Sequence, residues 1–182
     1  SYVTEYARFA VAATRLLMRL DRDGRRGPID VVHVNSVPDW LVVAGTALRR
    51  RTGVPVVLDL HEASPEFFRM RFGGSDRSVG ARLLARLLVG VVARAERASV
   101  RAADWTLVTT PRMLARLRRL VPERADAMEA VLNVPSLARF HPVDGAAGAT
   151  WMEGGVLRLF YGGALTPTYE LDVILRAVAA LV

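Results

Sequence analysis

The sequence predicts an α/β fold, a parallel sheet with helices on both faces. Short runs rich in Val and Leu alternate along the chain with longer segments of helical periodicity. The short runs are almost continuously apolar, which is typical of parallel strands that helices cover on both sides. Small polar residues followed by Pro come after most of these runs, as they do where a strand turns into a helix. Regular alternation of strand and helix favours the α/β class over an all-helical or all-β fold.

Five segments predict strands and five predict helices. The strands are Asp30–Val34, Val56–Leu60, Trp105–Thr109, Glu129–Leu132 and Val156–Tyr161. The helices are Tyr2–Leu20, Asp39–Arg51, Ala81–Ala102, Pro111–Leu120 and Tyr169–Leu181. The order of these segments brings every strand-to-helix turn to the carboxyl edge of the sheet.

Four of these turns contain a Ser or Thr before a Pro. They are Ser36-Val37-Pro38-Asp39, Ser64-Pro65, Thr110-Pro111 and Thr166-Pro167. A hydroxyl at the N-cap accepts a hydrogen bond from the first turn, and Pro inside the helix gives up no needed donor. Ser36 and Asp39 also have the spacing of a capping box. Because open α/β sheets bind ligands at the carboxyl edge, this edge is the predicted functional one.

A change in composition predicts two domains. Residues 141–155 (HPVDGAAGATWMEGG) contain four Gly and have no periodicity, which indicates a linker. We therefore expect a partial first domain over 1–142, a linker over 143–155, and the first β-α unit of a second domain over 156–182. A single β-α unit cannot bury its own apolar faces, and the chain opens on a helix, so the sequence suggests a fold truncated at both ends.

Composition excludes several classes of protein. The chain has no Cys, so a disulfide scaffold, a Cys-based metal site and a thiol nucleophile are ruled out. Its three His, at 33, 61 and 141, are too scattered to predict a zinc site, and we expect neither metal nor cofactor. We find no apolar run long enough to span a membrane and no basic segment before an apolar core at the N-terminus. These features predict a cytoplasmic protein.

The net charge of +7 comes from Arg alone, since the sequence contains no Lys. Proteins that bind nucleic acid through phosphates commonly use both residues, so the sequence predicts no nucleic-acid partner. A phosphate ligand or an acidic membrane face stays open as an anionic partner.

Residues at the predicted edge are candidates for chemistry. His61 follows the second strand directly, where an imidazole can exchange protons or hydrogen-bond a sugar hydroxyl, or can merely satisfy a loop carbonyl. His33 lies within its strand and is expected to pack against a helix, whereas Asn35 lies at the strand's exit. Gly162 and Gly163 end the last strand, and a glycine pair there lets a phosphate approach the backbone, although any tight turn could also need it.

The predicted helix over 81–102 carries a stripe of Arg at 82, 86, 94, 97 and 101. Opposite this stripe run Leu83, Leu84, Leu87, Leu88, Val91 and Val92. Such a cationic amphipathic helix can lie on an anionic membrane, or its Arg stripe can simply be the solvated face of a core helix.

Five segments follow one another along the chain in a recognisable order. They are DVVHVNSVPDW, VVLDLHEASPE, ERASVRAADWTLVTT, VLNVPSLARFHP and LRLFYGGALTPTYELDVILRAVA. Together they resemble glycosyltransferase family 4. The resemblance covers the chain from about Gly27 onward and implies a GT-B enzyme with two Rossmann-like domains, of which residues up to about 142 belong to the N-terminal, acceptor-side one. It implies a retaining transferase that takes a sugar from a nucleotide-sugar donor to a glycan, lipid or small-molecule acceptor.

The resemblance also implies roles for individual residues. His61 looks like the cleft histidine that contacts the donor sugar, with Asn35 and Glu62 as acceptor-side neighbours. Gly162 and Gly163 would lie beside the donor diphosphate. Work on a cell-surface polysaccharide or glycolipid would be consistent with a peripheral position at the inner face of the cell membrane.

Two departures from the family pattern leave alternatives open. Ala164 and Thr168 stand where basic residues are typical, and no two Glu residues have the Glu-x7-Glu spacing. We therefore expect the 182-residue chain to be inactive by itself. The alternatives are a non-catalytic α/β module that binds a nucleotide or sugar, and an interaction domain that docks on a membrane.

Overall fold

The computed structural model describes residues 2–24, 27–36, 38–72, 78–140, 152–153, 156–157, 159–165 and 169–181. The chain divides into two compact units, Ser1–Asn133 and Val134–Val182. The first unit contains a four-stranded sheet with its helices, and the second contains a short hairpin and one helix.

The first unit alternates helix and strand as the sequence predicts. Its helices are α1 (Tyr2–Asp23), α2 (Val42–Thr52), α3 (Ser64–Phe72), α4 (Val79–Ala102) and α5 (Pro111–Leu120). Its strands are β1 (Val32–Asn35), β2 (Val56–Leu60), β3 (Trp105–Val108) and β4 (Met128–Ala130). Short 3₁₀ segments, Asp39–Leu41 and Pro122–Ala127, precede α2 and β4.

The four strands form one parallel sheet in the order β1-β2-β3-β4. Their register places Asn35 opposite Asp59, Asp59 opposite Leu107, and Leu107 opposite Glu129. Because all four strands run the same way, their carboxyl ends meet at one edge. The predicted fold class is confirmed: the unit is a Rossmann-like α/β domain with a parallel sheet flanked by helices.

Burial alternates along the strands, although the sequence predicts almost continuous burial. In β2, Val56, Leu58 and Leu60 are fully buried, whereas Val57 and Asp59 are partly exposed. Successive strand residues point to opposite faces of the sheet. On the fully buried face, α2 packs against β1 and β2, and α5 packs against β3 and β4. The core cluster consists of Val32, Val34, Val42, Leu48, Val54, Val56, Leu58, Leu60, Val100, Ala103, Val108, Met113, Leu117, Val121 and Met128.

Gly45 lets α2 approach the sheet closely. A Cβ at this position would lie 2.9 Å from Cγ1 of Val56 and 3.1 Å from Cγ1 of Val32. The helix ends at Gly53, whose φ of 77° is in the left-handed region and whose N–H donates to the Arg49 carbonyl at 2.8 Å. Glycine is therefore needed at both positions, in one case for space and in the other for backbone conformation.

Asp104, just before β3, joins the amino ends of two strands. Its Oδ2 accepts hydrogen bonds from the Val56 N–H and from Nη1 of Arg49, each at 2.8 Å. Burial alone would raise the pKa of Asp104, but these two hydrogen bonds outweigh it and lower that pKa below its usual value.

Of the predicted caps, Thr110 is confirmed and two others are wrong. Oγ1 of Thr110 accepts from the Met113 N–H at 3.1 Å, and Pro111 opens α5. Ser36 and Ser64 are not N-caps, because the 3₁₀ segment after β1 has Pro38 at its N-cap and Ser64 is already the first residue of α3. The Ser36 hydroxyl accepts from the His61 N–H instead, and the Ser64 hydroxyl donates to Asp39. The structure adds a cap at Ser78, whose Oγ accepts from the Ala81 N–H at 3.3 Å. The predicted Thr166-Pro167 helix start lies outside the described residues.

The second unit departs from the predicted parallel strand over Val156–Tyr161. Its two strands, β5 (Met152–Glu153) and β6 (Val156–Leu157), pair antiparallel, and α6 covers Leu171–Ala179. Strands two residues apart in sequence can pair only in this way, since a parallel pair needs a crossover of a dozen or more residues. The predicted linker, 143–155, lies largely outside the described residues, and the predicted domain boundaries stay a prediction.

The leucines of α4 face solvent rather than the core. Leu83, Leu87 and Val91 are 58%, 61% and 62% exposed, whereas the buried residues of the helix are Ala85, Glu96, Ser99 and Val100. The exposed Arg stripe is as predicted, but the apolar face opposite it is not a core face. Within the described ranges, none of the helices has the length and hydrophobicity needed to cross a membrane.

Candidate functional site

The segments that directly follow β1 and β3 hold the backbone of His61 at the carboxyl edge. The His61 N–H donates to Oγ of Ser36 at 3.0 Å, and its carbonyl accepts from Oγ1 of Thr109 at 3.4 Å. Ser36 in turn follows β1, and its N–H donates to the Asp59 carbonyl at 2.9 Å. His61 therefore lies at the edge to which the sequence assigns it, fixed by the loops on either side.

A carboxylate orients the His61 ring. Nε2 of His61 lies 3.2 Å from Oδ2 of Asp59, and the His61 side chain is 43% exposed. Because an ionised carboxylate can only accept, Nε2 carries the hydrogen in this contact, and in a neutral imidazole Nδ1 is then the acceptor. Nδ1 has no hydrogen-bond partner among the described residues, so it is the ring atom available to a ligand.

His33 shares the same carboxylate oxygen. Its Nε2 also lies 3.2 Å from Oδ2 of Asp59, and its side chain is 50% exposed. The expectation that His33 packs against a helix is wrong, because the residue lies on the partly exposed face of β1. Asp59 is the site residue that the sequence analysis missed. The Asp-x-His spacing of Asp59 and His61 could have indicated their contact, since residues two apart on a strand share a face.

The trio of His33, Asp59 and His61 is a hydrogen-bonded cluster rather than a metal site. Across the part of the chain that the structure describes, no group of three or more His, Asp or Glu side chains could hold a metal ion. That the reaction needs no metal or cofactor stays a prediction.

Asn35 and Glu62 lie at the same edge as His61. Asn35 is the last residue of β1 and is exposed opposite Asp59, and Glu62 is exposed directly after His61. The structure thus brings three of the five predicted site residues to one edge of the first unit.

The other two predicted site residues, Gly162 and Gly163, lie in the second unit and are exposed. A Cβ at Gly163 would lie 2.5 Å from the hydroxyl of Tyr161, whose Oη donates to the Ala164 carbonyl at 3.3 Å. The side chain of Tyr161 therefore gives a local structural reason for glycine at 163.

Behind the edge lies a cluster of charged groups that the sequence analysis also missed. Glu96 on α4 is 1% exposed and binds Arg116 on α5 through two hydrogen bonds of 2.9 and 2.6 Å. Asp39, in the segment after β1, is 4% exposed and accepts from Oγ of Ser64 at 3.0 Å. Glu66 approaches Arg116 to 3.8 Å. The cluster joins the segments that follow β1, β2 and β3.

The surroundings of this cluster shift two pKa values. Burial raises the pKa of Asp39 to about 6, and the nearby charge of Glu96 adds to the rise, against the hydrogen bond from Ser64 and the charge of Arg116. Burial would lower the pKa of Arg116, but its hydrogen bonds and ion pair with Glu96 outweigh that effect and raise it. Arg116 is thus held charged, while Asp39 can change its charge near neutral pH.

A parallel α/β domain of this kind is Rossmann-like, a class in which ligands are typically bound at the carboxyl edge, where His61 lies. A family model described as a glycosyl transferase 4-like domain matches residues 2–133. The chain belongs to this glycosyl transferase 4-like family, which confirms the resemblance that the sequence motifs indicate. A search of curated proteins found no match.

Proposed function

We propose that this protein is a retaining glycosyltransferase that moves a sugar from a nucleotide-sugar donor to a glycan, lipid or small-molecule acceptor. Family membership supports sugar transfer as the general activity. The observation that carries the finer proposal is the His61 imidazole, held at the carboxyl edge through its backbone and through Asp59.

In the proposed reaction, the bond between the anomeric carbon of the sugar and the leaving diphosphate breaks. A bond from the acceptor hydroxyl oxygen to that carbon forms on the same face, and the hydroxyl proton passes to the departing phosphate oxygen. Charge develops on the diphosphate, so its stabilisation would supply most of the rate enhancement.

We assign His61 to the donor sugar, with its Nδ1 accepting a hydrogen bond from a sugar hydroxyl. Asp59 is then a positioning residue, because it holds Nε2 as the protonated nitrogen and fixes the ring plane. Asn35 and Glu62 are proposed to contact the acceptor, since both are exposed at the same edge. Gly162 and Gly163 are proposed to bind the donor diphosphate.

The experiment compares His61→Ala with His33→Ala in the product of the complete reading frame. Both imidazoles hydrogen-bond to the same Asp59 oxygen, so His33→Ala is a matched control. We expect His61→Ala to lower turnover of a panel of UDP- and GDP-sugars by about 100-fold or more, within the range of a lost catalytic side chain. His33→Ala should change it by no more than about threefold, and neither variant should alter the melting temperature appreciably.

Equal turnover in His61→Ala and wild type would remove His61 from the site. Absence of sugar transfer with every donor in the wild-type product would overturn the proposed activity itself. The 182-residue chain, assayed in parallel, is expected to show no transfer.

A second candidate is a non-catalytic module that binds a nucleotide or sugar. It is favoured by Ala164 and Thr168, which stand where basic residues would stabilise the leaving phosphate. Donor binding by calorimetry without turnover in the complete product would support this candidate over the transferase. The cytoplasmic location stays a prediction.

A further inference from the structure

Helix α4 exposes two rows of large apolar side chains to solvent. Leu83, Leu87 and Val91 form one row at intervals of four residues, and Leu84 and Leu88 form a second row beside it. These five residues, which we call the apolar strip, are between 41% and 62% exposed. Contiguous exposed apolar surface of this kind marks an interaction site in proteins.

The opposite face of the same helix fixes its orientation. Ala85, Glu96, Ser99 and Val100 are buried there, and the bonds of Glu96 to Arg116 join α4 to α5. The strip is exposed, and a loose or rotated helix is not the reason. It is the outer face of a helix whose inner face is already packed.

The neighbouring helix α3 extends the apolar surface. It packs against α4, and its Phe67 and Met70 are 40% and 61% exposed. Because α3 begins at Ser64, three residues after His61, this surface adjoins the candidate site along the chain.

Arginines border the strip. Arg82 and Arg86 form an exposed row next to Leu83 and Leu87, and exposed Arg94 and Arg97 continue the charge along the helix. In the described residues of α3 and α4, the two acids are Glu66 and Glu96, and both approach Arg116. In the described residues of α4, the outer face therefore carries exposed arginines and no exposed carboxylate, while on α3 the exposed Glu66 is directed to Arg116.

We infer that the outer face of α3 and α4 docks on an anionic lipid membrane. Leucines of the strip would enter the boundary between headgroups and acyl chains, while the flexible Arg side chains reach the lipid phosphates. The net charge of +7 adds long-range attraction to an anionic surface. This inference stands on the surface itself and does not depend on the proposed transferase activity.

Two other occupants fit less well. A nucleic acid would pair with the arginines but would leave the leucine rows in water, since phosphates offer them nothing apolar. A second copy docked through the same face would bring the Arg rows of α4 together, which is unfavourable. Among the described residues of α3 and α4, the exposed acid is Glu66, and it already lies 3.8 Å from Arg116.

Vesicle co-sedimentation of the full chain tests the inference. We expect vesicles of phosphatidylcholine with about 30% phosphatidylglycerol to bind the protein at least about tenfold more tightly than phosphatidylcholine alone. Raising NaCl from about 0.05 M to about 0.5 M should weaken this binding severalfold or more, because screening acts on the Arg–phosphate attraction.

Variants locate the binding surface. Leu83→Ser with Leu87→Ser, and separately Arg82→Gln with Arg86→Gln, should each reduce binding by about tenfold. Circular dichroism should show unchanged helix content, since these side chains are exposed. Binding by the leucine variant should fall at both salt concentrations, and binding by the arginine variant mainly at the lower one.

Helix α1 supplies the matched control. Leu16 on this helix is 56% exposed, and Arg15 and Arg19 are exposed with the same four-residue spacing as Arg82 and Arg86. Leu16→Ser and the pair Arg15→Gln, Arg19→Gln should leave vesicle binding within about twofold of wild type.

Three results would overturn the inference. One is equal affinity for neutral and anionic vesicles, or none for either. Another is a loss in the α1 variants as large as that in the α4 variants, which would indicate attraction by net charge alone. The third is a dimer seen by sedimentation velocity that Leu83→Ser abolishes without vesicle binding, which would make a second copy the occupant.

Discussion

Oγ of Ser64 donates a 3.0 Å hydrogen bond to Oδ1 of Asp39, and each residue is 4% exposed. Ser64 follows β2 and Asp39 follows β1, so this bond joins two loops of the carboxyl edge. The Ser64 hydroxyl and a backbone N–H of Asp39 compensate directly for the buried carboxylate, with Arg116 attracting it and Glu96 repelling it. The balance of these effects makes Asp39 a source of pH-dependent stability.

Asp39 should stabilise the folded state less as the pH rises. Its pKa is about 6 in the folded protein and 3.8 for the free side chain, so the folded state holds the proton more tightly. Stability is therefore lost as pH rises from about 4 to about 6, by about 3 kcal/mol in all. Asp39→Asn keeps the acceptor for Ser64 but cannot ionise. The difference in unfolding free energy between the Asp39→Asn variant and the wild type should shift by about 3 kcal/mol in favour of the variant between about pH 4 and about pH 8.

Urea denaturation at several pH values measures this difference. Asp126→Asn, in the exposed 3₁₀ segment before β4, serves as the control and should show no comparable trend. A stability difference between Asp39→Asn and wild type that stays constant with pH would contradict the proposed titration of Asp39.

Asp59→Asn should disturb the His61 ring without unfolding the protein. The amide offers both donor and acceptor atoms in place of a purely accepting carboxylate, so Nε2 of His61 need no longer be the protonated nitrogen. In the complete product we expect kcat to fall about tenfold or more with little change in KM for the donor. Nitrogen-15 shifts of the His61 ring should show a mixture of tautomers.

Glu129→Gln is the matched control for Asp59→Asn, because Glu129 lies in the same register row on the same face, two strands away. It should leave both the ring shifts and kcat unchanged. Altered shifts with unaltered kcat would mean that Asp59 orients His61 but that His61 has no part in catalysis. Unaltered shifts would mean that Asp59 does not orient the ring.

Alanine at two helical glycines should have opposite effects on stability. A Cβ at Gly45 would press on Val56 and Val32 in the core, and we expect Gly45→Ala to destabilise the fold by about 1–3 kcal/mol. At Gly90, in α4, the nearest atom to a Cβ is Nη1 of Arg94 at 3.3 Å, on a flexible and exposed side chain. Gly90→Ala should stabilise the helix by up to about 1 kcal/mol. Thermal unfolding measures both, and a stabilising Gly45→Ala would show that α2 can move away from the sheet.

Local sequence predicted those elements of the first unit that depend on neighbouring residues. The strand over Val56–Leu60 and the helix over Pro111–Leu120 have the predicted bounds, and Thr110 caps that helix. The position of His61 was also predictable, because a residue that follows a parallel strand must emerge at the carboxyl edge. Periodicity and cap chemistry act over a few residues, so a single sequence reveals them.

Tertiary structure decided the contacts between distant segments. The register of β1 against β2 decides two contacts of the site. It places Ser36 where its hydroxyl binds the His61 N–H rather than a helix end, and it brings His33 to Asp59. Local patterns carry no information on register between strands that are more than twenty residues apart in the chain.

The orientation of α4 was likewise decided by the tertiary structure and not by the sequence. The sequence determined that the helix has an apolar row and a cationic row, and it could not determine which side faces inward. In the fold, small Ala85 and Ser99 and the paired Glu96 lie on the inner side, while the leucines remain outside. If hydrophobicity alone decided the orientation, the leucines would lie on the inner side of the helix. Close packing of the small side chains and the ion pair to Arg116 fix the orientation that the structure has.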